Sequence, residues 1–245
     1  MERAFLLLNL AGPLQSWGDH SRFWTSNTHD FPTKSGVIGL LFCAMGLGGA
    51  QEDALSQFTC YPMTAYRIGK KEAKKTVNLT DFQMIGSGYD PDDPWQRFCK
   101  LRTFDGKRSQ TSGMKMTKKI YLQDEKFCVI MEIPIGWKER VIEGLKTPVW
   151  DLYLGRKCCA PSEPVFGGIF SSRFAAEEFL RNNLDSMSEN QDKMVILEIE
   201  EETQGDSEKR PASVPMQKMF LNDVPVRFGT EKLYKSRCVI RKAIA

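Results

Sequence analysis

Side chains able to do chemistry are concentrated near the N-terminus, in Leu10-Ala11-Gly12-Pro13-Leu14-Gln15-Ser16-Trp17-Gly18 and, a short loop later, Phe31-Pro32-Thr33-Lys34-Ser35-Gly36. Gln15 offers an amide that can pair with a base edge and Trp17 a face for stacking. Arg22 and Lys34 carry charges that neutralise phosphates, and together these are the means by which single-stranded RNA is held. Ser16 and Gly18 share that loop, and Ser35 stands at the start of the apolar segment that follows. A structural use of the same residues is open as well: Trp17 and Leu14 can plug the end of a sheet while Gln15 satisfies loop backbone.

The elements around this segment follow from its composition. Ala4 to Leu10 is an apolar run broken only by Asn9, a continuous rather than alternating pattern that predicts a strand buried on both faces. Gly12-Pro13 ends it, because proline has no ladder donor and glycine frees the backbone. Ser35 to Met45 predicts the first helix, with Thr33 or Ser35 as its cap. The N-terminus of that helix would present free N–H groups to a phosphate.

Further strands are predicted at Tyr61 to Ile68 and, as a hairpin, at Lys119 to Leu122 and Phe127 to Ile135. Lys138 to Leu145 predicts a short helix. Ser172 to Leu184 predicts another, with Phe174, Phe179 and Leu180 on its apolar side. Met194 to Ile199 reads as an alternating strand and Glu200 to Lys209 as a solvated turn. Val214 to Met219, Val224 to Phe228 and Leu233 to Ile240 read as short strands of a small β-rich region.

Charge is unevenly spread in this 245-residue chain of net charge +3. Lys100 to Lys119 holds seven basic residues against Asp105 alone, whereas Asp185 to Glu208 holds nine acids against Lys193 alone. The basic stretch is interleaved with Phe98, Phe104, Met114 and Met116 and has little core-forming pattern. It predicts a projecting arm that grips a nucleic-acid backbone through Lys107, Arg108 and Lys115. Farther on, Gly155-Arg156-Lys157 places a basic pair beside a glycine, an arrangement that suits phosphate and equally suits a tight turn with solvent-facing charges.

Several function classes find little support. Only His20 and His29 are available as histidine acid–base groups, and His20 with Tyr121 is the constellation a metal-free ribonuclease would use. Seven cysteines, an odd number without CxxC spacing, argue against a disulfide framework or a zinc ribbon. Asp90, Asp92 and Asp93 lack the glycine and terminal glutamate of a calcium loop. No phosphate-loop motif occurs, so no cofactor is expected. The apolar run Val37 to Ala50, 14 residues with several glycines, is too short for a membrane span. No signal-peptide cleavage pattern follows the N-terminal apolar segment, so a cytoplasmic location is expected.

The strings LAGPLQSWG and FPTKSGVIGLL resemble the N-terminus of CasD-type subunits, CRISPR-associated family five of the RAMP superfamily, which cap the 5′ handle of the guide RNA in type I-E Cascade. Tyr153 to Pro161 and Pro164-Val165-Phe166 resemble that family's second motif block. Thr80-Asp81-Phe82-Gln83 and Val226-Arg227-Phe228 are weaker echoes. The resemblance implies an α+β fold with a ferredoxin-like, RRM-like sheet over residues 1–190, a thumb-like arm at about 80–118, and the β-rich region at 191–245. It implies a non-catalytic subunit that binds the crRNA 5′ handle and touches the Cascade backbone subunit. A large PAM-reading subunit would be a further neighbour, with target DNA met indirectly and no membrane contact. An endoribonuclease processing CRISPR precursor RNA, or a protein scaffold docking through the acidic stretch, are the other readings.

Overall fold

The computed structural model describes residues 3–18, 21, 24–70, 77–85, 92–95, 105–106, 115–186, 194–203 and 216–244. In chain order the elements are β1 (Ala4–Ala11), β2 (Leu14–Gln15), β3 (Trp17–Gly18), β4 (Thr25–Ser26), β5 (Thr28–His29), α1 (Lys34–Ala44) and α2 (Glu52–Thr59). There follow β6 (Met63–Lys70), β7 (Val77–Ile85), β8 (Lys115–Gln123), β9 (Lys126–Ile133), α3 (Lys138–Lys146) and β10 (Phe166–Phe170). The chain continues with α4 (Arg173–Ser186), β11 (Met194–Glu202), β12 (Met216–Arg227) and β13 (Leu233–Ala243). The architecture is mixed α and β with mostly antiparallel sheets.

Seven strands form the main sheet in the order β10-β1-β9-β6-β11-β13-β12, every neighbouring pair antiparallel. β1 is buried on both faces, as its composition predicts. Leu6, Leu8 and Leu10 join a core with α1, α2 and α3, while Phe5 and Leu7 face a second core closed by Ala176, Leu180 and Leu184 of α4. Each leucine taken from water in this way contributes about 2 kcal/mol. On α4 the expected apolar side is only half right: Phe179 packs its ring 5.0 Å from Phe170, but Phe174 is 73% exposed.

The predicted pairing of residues 119–122 with 127–135 as a hairpin does not form. β8 belongs to a second sheet with β7, β2 and β4, whereas β9 lies between β1 and β6 in the main one. The turn between them is held by distant groups rather than by its own strands. Glu125 takes two hydrogen bonds from Arg67, at 2.8 and 2.7 Å, and Asp124 N–H donates to the Pro13 carbonyl. β7 and β8 pair over nine residues each, so the base of the expected arm is a β-ribbon. The short helix α2, unread from the sequence, buries Ala54, Leu55 and Phe58 at helical spacing.

The strands after residue 190 continue the main sheet instead of forming a separate layer. Of the expected solvated turn from Glu200 to Lys209, residues 204–209 lie outside the described residues; Glu200 to Glu202 form the end of β11, and these three glutamates are paired. Glu200 meets Arg241 at 2.8 Å, Glu202 meets Lys34 at 2.9 Å, and Glu201 meets Arg173 at 2.7 Å and Lys242 at 3.0 Å. Burial disfavours the Glu201 charge, but the hydrogen bonds from Arg173 and Lys242 outweigh it and hold the carboxyl below its ordinary value of 4.5. A carboxyl lowered in the folded state contributes stability that is complete above 4.5 and lost as pH falls through the lowered value. Urea unfolding on acidification is therefore expected to show a smaller loss in Lys242→Met than in the wild-type chain. Parallel acid limbs would contradict this pairing.

Candidate nucleic-acid interface

The two sequence blocks that carry chemistry meet in space. Ser16 N–H donates to the Leu154 carbonyl at 3.0 Å, and Ser162 N–H donates to the Ala11 carbonyl at 2.8 Å. Gly155 has φ +91°, and a Cβ on it would lie 1.7 Å from the Ser16 carbonyl oxygen. Its close approach is thus to protein backbone, not to a ligand as the sequence suggests. Gly36, in the first turn of α1, likewise lies where a Cβ would be 2.9 Å from the Trp17 indole.

Most of the strongest sequence candidates are spent inside the protein. Gln15 is fully buried; its amide donates to the Leu10 and Glu125 carbonyls at 3.0 and 2.6 Å and accepts from the Trp17 indole at 3.0 Å. Trp17 is also fully buried, so neither can meet a base, and the structural alternative describes both side chains. Lys34 is buried with its ammonium on the Thr59 and Tyr61 carbonyls and the Glu202 carboxylate, at 2.8 to 3.0 Å. It cannot also neutralise a phosphate. Arg156 donates to the Ile120 and Ser26 carbonyls at 3.2 and 3.0 Å and lies 4.7 Å over the Tyr121 ring. Tyr121 is only 4% exposed beneath it, and burial followed by the contact with Cys158 raises its phenol.

Around this consolidated corner runs an open cleft of about 440 Å³. Ser16, Gly18 and Ser35 line it with Gly155 and Arg156, so the structure brings together the two blocks on one concave surface. The end of α1 faces it with only part of its donor set. Asp223 accepts from Lys34 N–H at 2.7 Å, and Thr33 caps Gly36 N–H at 3.3 Å, as the sequence predicts. Ser16 Oγ, in a residue 2% exposed, has no hydrogen-bond partner among the described residues. A buried hydroxyl without a partner costs on the order of 1–3 kcal/mol, a cost removed if a ligand in the cleft supplies the bond.

Lys157 turns away from this cleft and lines a neighbouring one of about 540 Å³ with Val149 and Trp150. Arg22, His20, Lys107 and Arg108 lie outside the described residues; Lys115 begins β8, and its side chain is outside the description. Sequence reasoning missed Asn27, Tyr153, Lys232 and Tyr234, which complete the cleft wall. Lys232 and Tyr234 sit more than 190 positions from Ser16, Gly18 and Ser35 and more than 70 from Gly155 and Arg156, so no local pattern could bring them to notice.

Among the described residues the cysteines are free thiols and no group of three or more metal-ligating side chains gathers. No described helix is long and apolar enough to cross a membrane. Residues 5–232 match the family described as "CRISPR-associated protein (Cas_Cas5)". The chain is 28% identical over 171 residues to "CRISPR system Cascade subunit CasD" of Escherichia coli (strain K12), covering 68% of this chain and 71% of that protein. A solved chain from a "CRISPR RNA-guided surveillance complex" superposes with TM-score 0.67 at 25% identity, covering 98% of this chain and 90% of the other. A second, solved as "Crystal structure of Cas protein", has the same fold at TM-score 0.60 and 24% identity, with 98% and 94% covered.

Proposed function

The chain belongs to the CRISPR-associated Cas5 family, and from that membership we propose that it is the crRNA-binding subunit of a Cascade surveillance complex in antiviral defence. It grips the repeat-derived 5′ handle of the guide in the cleft beside α1 and caps the Cascade backbone. On this reading the subunit is cytoplasmic and non-catalytic. The observation that carries it is the cleft itself, which Ser16, Gly18 and Ser35 line together with Gly155 and Arg156 where the two motif blocks lock together.

Other features support finer parts of the reading. The order β10-β1-β9-β6, with helices between β1 and β6 and between β9 and β10, supports a ferredoxin-like, RRM-like core. The β7–β8 ribbon supports a thumb, and Phe82, Met84 and Met116 are exposed on it. Lys107, Arg108 and Lys115 are the phosphate-gripping residues of that thumb. The Cascade backbone subunit and the large PAM-reading subunit are its protein neighbours, and target DNA is met only through them.

Ser35→Asp tests the cleft directly. A carboxylate in the first turn of a helix favours the helix but opposes a phosphate beside it. The variant should melt no lower than the wild-type chain and retain roughly tenfold less guide RNA, the scale of one lost charge-assisted contact. Unchanged retention of guide in a folded Ser35→Asp protein would remove the cleft from the binding site.

A further inference from the structure

The cleft has a second wall that neither motif block supplies. It is built by the turn and flanking residues between β12 and β13, which contribute Phe228, Lys232 and Tyr234. This turn is locked to the helical side of the cleft at several points. Phe228 N–H donates to the Ala50 carbonyl at 3.0 Å, and the Phe228 ring stands perpendicular to Phe42 at 6.0 Å. Arg227 pairs with Glu52 of α2. Deeper in the same hairpin, Arg237 holds Asp223 through two bonds of 2.7 and 2.9 Å, and Asp223 in turn takes the first amide of α1. The wall is therefore positioned, not draped.

Its side chains differ from those opposite. Lys34 and Arg156 have committed their charges to protein carbonyls and carboxylates, but Lys232 is exposed and no carboxylate pairs with it among the described residues. Tyr234 is half-buried beside it, with a phenol that burial raises, so it remains a neutral ring and hydroxyl donor at ordinary pH. A cleft of about 440 Å³ is of the size that accepts a small ligand such as one unstacked nucleotide.

We propose that the β12–β13 turn is part of the RNA site, with Lys232 neutralising one phosphate and Tyr234 packing against the sugar or base of a single unstacked nucleotide held between it and the Ser16–Ser35 wall. This rests on the reading of the cleft as the guide-binding site and adds a binding surface from a region that the sequence assigns to a separate β-rich piece. The chemistry divides the work: Lys232 supplies a salt-sensitive contact, Tyr234 a salt-insensitive one. Bases stack on aromatic rings irrespective of ionic strength, whereas phosphate contacts release counterions.

The test uses the full-length chain and a labelled single-stranded RNA of about eight nucleotides bearing the repeat-derived 5′ end, within the span of one single-strand-binding site. Affinity is titrated across salt concentrations. Lys232→Ala should weaken binding about three- to tenfold and reduce the slope of log K against log salt by about 0.7, the value for one phosphate on a single strand. Tyr234→Leu should weaken it about tenfold without changing that slope, and Tyr234→Phe should restore most of the loss. Melting temperatures confirm that each variant is folded; should Tyr234→Leu unfold, the affinity and salt slope of Lys232→Ala still decide the matter. If both Lys232→Ala and Tyr234→Leu bind like the wild-type chain while Ser35→Asp is weakened, the turn is not part of the site although the cleft is. If Ser35→Asp also binds normally, the cleft reading itself fails. An equal loss for a single-stranded DNA of the same sequence would show a surface for any single strand and overturn the assignment to RNA.

Discussion

Lys34→Met is expected to lower the free energy of unfolding by about 3–5 kcal/mol, the cost of removing one partner from a buried ion pair. The Lys34 side chain has no exposed surface and Glu202 is 13% exposed, so water cannot replace the missing charge. The substitution would take the ammonium from the Glu202 carboxylate, leaving it Met63 N–H at 3.1 Å and Arg237 at 3.6 Å, and would remove a donor from the carbonyls of Thr59 and Tyr61. It would also loosen the seat of Arg237, whose guanidinium lies 3.6 Å from Glu202. Burial lowers the Lys34 ammonium from its ordinary value and Glu202 opposes that shift; the donor contacts show that the charged form is the one the site accommodates. Adding Glu202→Gln to Lys34→Met should recover part of the loss, because the orphaned charge disappears with it. Denaturant unfolding of the three variants measures this. A loss below about 1 kcal/mol for Lys34→Met would place the pair among exposed salt bridges and refute the argument.

Gly155→Ala is expected to disrupt the junction of the two motif blocks. At φ +91° any side chain is strained, by about 1–3 kcal/mol. The new Cβ would also fall 1.7 Å from a backbone oxygen, which no rotamer change can relieve. The Ser16 to Leu154 hydrogen bond and the cleft lip would separate. The expected result is a sharply destabilised protein that no longer retains guide RNA, scored by soluble yield, melting temperature and co-purifying nucleic acid. Gly136→Ala, between β9 and α3 and outside the cleft, is the control, since a Cβ there meets nothing within 4 Å and should be tolerated. Equal behaviour of the two variants would show that the blocks need not touch for binding.

Local pattern made much of the frame readable. The largely apolar run of β1, the Thr33 cap of α1, the short helix α3 and the apolar spacing of α4 depend on neighbours within a turn or two of chain, and the structure has them within a residue or two. The β8–β9 pairing was misread because a turn flanked by strand-forming residues says where the chain bends, not which sheet each strand joins. That choice was made by Arg67 on Glu125 and by the Gln15 amide on the Glu125 carbonyl, contacts across 58 and 110 positions.

Residue types alone singled out two blocks that the structure brings to one cleft. They could not assign duties within it. An amide, an indole, a lysine and an arginine suit a nucleic acid as well as they suit a crowded interior, and only burial separates the uses. Gln15, Trp17, Lys34 and Arg156 went inward because carbonyls and carboxylates from distant strands surround them; Ser35 was left half-buried at the opening. The composition of the chain thus determined a buried strand and a capped helix, both short-range consequences of side-chain chemistry. The tertiary structure alone decided which polar groups remain available to a ligand and brought Lys232 and Tyr234 to the same cleft. Availability is what is left after long-range hydrogen bonds are made, and these depend on strand order, which no local stretch encodes.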